Sequence, residues 1–124
     1  MTEEERELLR GVREVRIETS RGSVGAPVHR TIIWVVVDDV GRVLVRTFRG
    51  RESRWYREAL ARERCSLLVG DRDIDFTVEP ARDAERVAAC SEGLRAKYRR
   101  SASLDAMLRD EVLDTTLELH PVHD

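Results

Sequence analysis

Cysteine, proline and aromatic residues are all scarce in this chain of 124 residues, which holds two cysteines, three prolines and two each of phenylalanine, tryptophan and tyrosine. Two cysteines allow at most one bridge. Without CxxC spacing, Cys65 and Cys90 read as small buried apolar residues of a reducing compartment, so free thiols are expected. Long apolar runs are absent too, all stopping well short of the ~20 residues of a membrane span. The N-terminal TEEERELLR is charged where a secretion signal is apolar. The expectation is a cytoplasmic protein with no membrane partner. An excess of one charge is also missing. With 22 basic and 24 acidic residues the net charge is -2, which argues against a general nucleic-acid binder and makes any basic site a local one. The length suits a single domain over residues 1–124.

What is present is organised by period. The acidic segment through Arg10 is helix-permissive but has too little apolar surface to anchor itself firmly, and is expected to be a frayed turn. Val12 to Thr19 alternates as a half-buried strand, and the loop Ser20 to Pro27 (SRGSVGAP) follows. Thr31 to Val37, TIIWVVV, is β-branched almost throughout and reads as one strand covered on both faces. Asp38-Asp39-Val40-Gly41 turns it into a hairpin with Arg42 to Phe48. From Glu52 or Ser53 to Ala61 the spacing becomes helical, with Trp55, Tyr56, Ala59 and Leu60 on one face and Ser53 as N-cap. Cys65 to Val69 and Asp73 to Val78 form a second hairpin about Gly70-Asp71. A helix follows from Asp83 to about Arg100, weakened at Gly93. A shorter helix runs from Leu104 to about Arg109, and a last strand from Leu113 to His120. The predicted fold is α+β: six mainly antiparallel strands in a small barrel, a helix after the third strand and a helical excursion before the last.

The stretch Phe48 to Glu58, FRGRESRWYRE, places four arginines, a serine and three aromatics in eleven positions. A helix origin offers unpaired N–H groups and about half a positive charge, and arginine adds a planar fork for phosphate oxygens. Ser53 and Arg54 therefore point to an anion site. The plainer alternative is a capped helix with Trp55 and Tyr56 in the core, solvated arginines and an i,i+4 pair between Arg54 and Glu58.

The order of elements, with GAPVHRTIIWVVVDD followed by VRTFRGRESRWYREAL, resembles the pyridoxamine-phosphate-oxidase-like split β-barrel superfamily, and within it a family of short single-domain members. The resemblance implies an FMN or deazaflavin coenzyme and a homodimer with the coenzyme near its interface. It implies two-electron transfer to a small substrate or, alternatively, non-catalytic ligand binding. The doubly apolar Ile32 to Val37 stretch independently suggests a two-fold partner. The coenzyme-binding residues it implies are Arg30, Arg46, Thr47, Arg49, Ser53, Arg54, Trp55 and Tyr56, with Trp34 or Trp55 packing the ring. Trp55 stands where some flavin-binding members carry lysine, and the Trp55-Tyr56 pair is similar to deazaflavin binders. His29 is a candidate proton donor whose plainer role is an edge histidine bonded to backbone. His120 and His123 read as solvated tail, and no metal is expected.

Overall fold

The computed structural model describes residues 1–122, and His123 lies outside them. Seven antiparallel strands form one curled half-barrel sheet in the order β2-β1-β5-β6-β7-β4-β3, accompanied by five helices. The strands are β1 (Val15–Thr19), β2 (His29–Ile33), β3 (Val36–Val37), β4 (Val43–Val45), β5 (Arg64–Val69), β6 (Arg72–Pro80) and β7 (Leu117–Pro121). The helices are α1 (Glu3–Gly11), α2 (Arg54–Arg62), α3 (Ala84–Lys97), α4 (Leu104–Leu108) and α5 (Asp110–Leu113).

The seventh strand arises because the expected single strand over 31–37 is divided. Its first part pairs with β1, Val15 opposite Ile33, and its second with β4, Val36 opposite Leu44. Trp34 and Val35 make the bend between them, so one short run of chain belongs to both margins of the sheet. The expectation that both faces of this run are covered holds only in part. Ile32 is 63% exposed, while Val36 is buried under α3.

Two apolar clusters account for the layers. Inside the curl, Ile17, Val45, Leu67, Phe76, Leu117 and Leu119 pack with Leu9 of α1 and Trp55 and Tyr56 of α2. On the outer side, Val36 and Leu44 pack with Cys90 and Leu94 of α3, Tyr98 and Met107. β4 is thus buried on both faces, its odd positions inward and Leu44 beneath the helices. Both cysteines are free and buried, as expected. Gly93 does more than weaken α3: a Cβ there would stand 2.2 Å from Val36 Cγ1, so its hydrogen permits the helix to lie on β3.

Two further expectations are corrected. The N-terminal segment is a capped helix rather than a frayed turn. Thr2 Oγ1 accepts from Glu5 N and Glu5 Oε1 from Thr2 N, a reciprocal capping box, and Leu9 is fully buried. The last strand starts at Leu117, because residues 110–113 are helical and the Thr115 and Thr116 hydroxyls donate back to the carbonyls of Val112 and Leu113, both at 2.7 Å.

Candidate functional site

The β3–β4 hairpin pairs Val37 with Val43 and Val36 with Leu44, and pairing stops there. Continued in that register, Trp34 would face Arg46, Ile32 would face Phe48 and Thr31 would face Arg49. Instead the two stretches part. All six residues line a groove of about 690 Å³, closed along its sides by the start of α2 and by the segment from Ser101 to Met107. The groove is therefore the opening where a strand pair splays.

Its chemistry is cationic and aromatic. Four arginines (13, 46, 49 and 54) line it against two glutamates (14 and 52), in a protein of net charge -2. Arg49 and Arg54 are exposed and form no ion pair among the described residues. Ser53 sits at the N-cap of α2, yet its side chain caps nothing, so the helix origin keeps unpartnered N–H groups at the groove wall. Both tryptophans of the chain line the groove. Trp34 is stacked on Tyr98 with ring centroids 3.9 Å apart and planes within 3°. Tyr98 is itself fixed, its hydroxyl donating to the Arg13 carbonyl at 2.6 Å and accepting from Val35 N at 3.3 Å. Trp34 is thereby a backed, rigid apolar plate.

Arg46 differs in kind. It is 1% exposed, and its guanidinium donates to Thr116 Oγ1, Ser91 Oγ and the carbonyls of Met107 and Val87, all at 2.9–3.0 Å. None of these acceptors is a carboxylate. Burial lowers its pKa from the ordinary arginine value.

Of the sequence-predicted residues, Arg46, Arg49, Ser53, Arg54 and Trp55 meet at the groove. Three stand away from it. Arg30 projects from β2 and pairs with Glu18 at 2.8 Å. Thr47 is fully buried, sharing a hydrogen bond with Thr115 Oγ1 at 2.9 Å and accepting from Gly50 N. Tyr56 lies in the barrel core, and its hydroxyl has no hydrogen-bond partner. Sequence reasoning missed Arg13, Glu14 and the Ser101–Met107 wall, which lie far from the Phe48–Glu58 stretch in sequence.

The expected Arg54–Glu58 pair is replaced. Glu58 is buried and accepts from Thr19 Oγ1 at 2.9 Å, with His29 Nδ1 at 3.1 Å. Burial acts to raise its pKa, but the bonds from His29 and Thr19 prevail and lower it below the usual carboxylate value. His29 thus bonds a carboxylate rather than backbone. His120 is no tail residue either: it lies in β7, 2.9 Å from Glu79. Glu79, Glu118 and His120 bring three potential metal-ligand atoms within 4.8 Å of one another, but Arg86 Nη1 stands 2.8 and 3.0 Å from the two carboxylates and supplies their cation.

A family model described as "Uncharacterized protein conserved in bacteria (DUF2255)" matches residues 7–119. The chain belongs to that family. None of the curated proteins matches it in sequence. Among solved structures, the conserved hypothetical protein Rv2991 from Mycobacterium tuberculosis is similar at a TM-score of 0.71 and 19% identity, over 99% of this chain and 82% of that one. HutZ, the heme storage protein from Vibrio cholerae, is similar at 0.65 and 11% identity, over 98% and 89%. Atu2129 of Agrobacterium tumefaciens, of unknown function, is similar at 0.64 and 12% identity, over 93% and 50%. At these identities the likeness is one of fold. Among the described residues no helix is long and apolar enough to cross a membrane.

Proposed function

We propose that this DUF2255 protein is a coenzyme-binding split barrel of the pyridoxamine-phosphate-oxidase-like type. The splayed groove holds a planar heterocycle with an anionic tail, FMN or a deazaflavin coenzyme. The observation that carries this reading is the convergence of an uncapped helix origin, Arg49 and Arg54 with the Trp34 plate on one opening. The arginines and the α2 amides hold the anionic group, and Trp34 supports the ring. The bound coenzyme supplies two-electron chemistry, while the chain binds, orients and excludes water. A second copy completes the site by covering Ile32 and Phe48, which stand 63% and 49% exposed at the groove.

A non-catalytic carrier on the same scaffold is the second reading, supported by the likeness to a heme storage protein. The donor set favours a flavin-type ring over haem, since the described lining includes no histidine, cysteine or tyrosine and its methionine, Met107, is buried.

Both tryptophans line the groove, so their fluorescence reports directly on its occupancy. Titration with FMN and with a deazaflavin coenzyme is expected to quench it, and riboflavin, lacking the phosphate, is expected to bind roughly tenfold more weakly or worse. No quenching by either coenzyme, together with no chromophore in the protein as isolated, would overturn the proposal. Equal binding of riboflavin and FMN would remove the anion anchor. Reduction of the bound coenzyme and reoxidation by candidate acceptors separates enzyme from carrier.

A further inference from the structure

The chain carries 22 basic side chains, and Lys97 is its single lysine. It occupies the last position of α3, half-buried. Its Nζ donates to the carbonyls of Leu9 at 2.9 Å and Val35 at 2.7 Å and lies 5.4 Å from the centre of the Tyr98 ring. It forms no ion pair among the described residues. An ammonium has three N–H bonds and a neutral amine has two plus a lone pair. The two carbonyls can therefore keep both N–H bonds of the neutral form engaged while the lone pair takes the remaining direction.

Lys97 also lines a second pocket, of about 770 Å³, between α3 and the β3–β4 hairpin. Val36, Val37, Ala89, Gly93 and Ala96 give it an apolar wall. The charged groups facing it are Arg10 from α1, Asp38, Asp39 and Arg42 from the hairpin, and Glu85 and Glu92 from α3. Including Lys97, three cations stand against four carboxylates. Arg42 is held by Asp38 at 2.6 Å and by Glu85 at 3.0 Å. With its cations matched or outnumbered by carboxylates, such a pocket gives an anion no net attraction, and its apolar wall suits a small uncharged molecule.

We propose that Lys97 is a nucleophilic amine that forms a reversible imine with a small uncharged aldehyde entering this second pocket. The nitrogen lone pair attacks the carbonyl carbon and a C–N bond forms. The carbonyl oxygen then departs as water with the two hydrogens of the nitrogen, and no electrons are exchanged. Burial lowers the ammonium pKa to about 8, which raises the neutral fraction at physiological pH far above that of a free lysine. An arginine, charged at every accessible pH, has no such chemistry.

The test uses the wild-type protein, propanal as probe and cyanoborohydride to trap the imine, with peptide mapping to separate Lys97 from the chain's α-amine. At pH 7.5 the folded protein is expected to be alkylated at Lys97 roughly tenfold faster than the same residue in urea, because the effect comes from its burial. Glyoxylate, an anionic aldehyde of similar size, is expected to react more slowly than propanal with the folded protein. Equal Lys97 rates in folded and unfolded protein, or alkylation confined to the α-amine, would overturn the proposal. A glyoxylate rate matching that of propanal would overturn the preference for an uncharged substrate. Neither result depends on whether the first groove binds coenzyme.

Discussion

Arg46 and Arg49 stand three positions apart in one stretch of chain and occupy different environments. Arg46 is sealed beneath α3 and α4, and its four acceptors are neutral groups drawn from α3, α4 and the approach to β7. Arg49 is exposed at the groove. The difference follows from the hairpin. The chain leaves the sheet after Val45, and Arg46, the next residue, still lies on the side of Leu44 that the outer helices cover, whereas Arg49 lies beyond their reach. One arginine therefore ties layers together while the other is available to solutes.

Replacing each residue separates those roles. Arg46→Ala leaves several buried acceptors unpaired and opens a void, so a loss of about 3 kcal/mol or more is expected in urea unfolding. Loss of secondary structure at ambient temperature would agree with this, and an unchanged midpoint would show that Arg46 is not a structural tie. Gly93→Ala tests the same outer layer: despite alanine's better helix propensity, the clash with Val36 is expected to cost ~1–3 kcal/mol. Val36→Ala in the same chain should recover part of that loss, and strict additivity of the two changes would argue against the contact.

A smaller effect is expected at the Glu58 bonds to β1 and β2. The folded-state pKa of Glu58 lies below its unfolded value of 4.5. Its contribution is therefore present above pH 4.5 and is lost as pH falls through the folded value. Glu58→Gln should flatten the acid limb of the stability profile, and an unaltered limb would assign acid sensitivity to other carboxylates. The least effect on stability is expected at the groove. Arg49→Ala and Arg54→Ala should each change stability by no more than ~0.5 kcal/mol while weakening FMN or deazaflavin binding about tenfold. A large stability loss from either would erase the contrast with Arg46.

The sequence revealed different parts of this molecule to different degrees, for physical reasons. The Gly70 hairpin and helices α2 and α3 were legible because each buries one face with a regular period. The α1 capping box was also legible in principle, since Thr2 precedes Glu5 by three positions, but its apolar content was too small to suggest a buried Leu9. The division of 31–37 was not legible. β-branched residues suit a strand at either sheet margin, and nothing local marks where a run changes partner. The fate of Arg46 was hidden likewise, because alternation tells which face a residue takes but not whether helices from later in the chain cover that face.

The parting of 31–34 from 46–49 has one more consequence. β2 pairs with β1 alone, so the side of its main chain turned away from β1 meets no strand among the described residues, with Ile32 and Phe48 bare alongside. Amides, carbonyls and greasy side chains together make a template onto which any extended peptide can add. Covering that edge is thus a matter of colloidal safety, and the protein with β2 left uncovered is the form expected to clump first when concentrated.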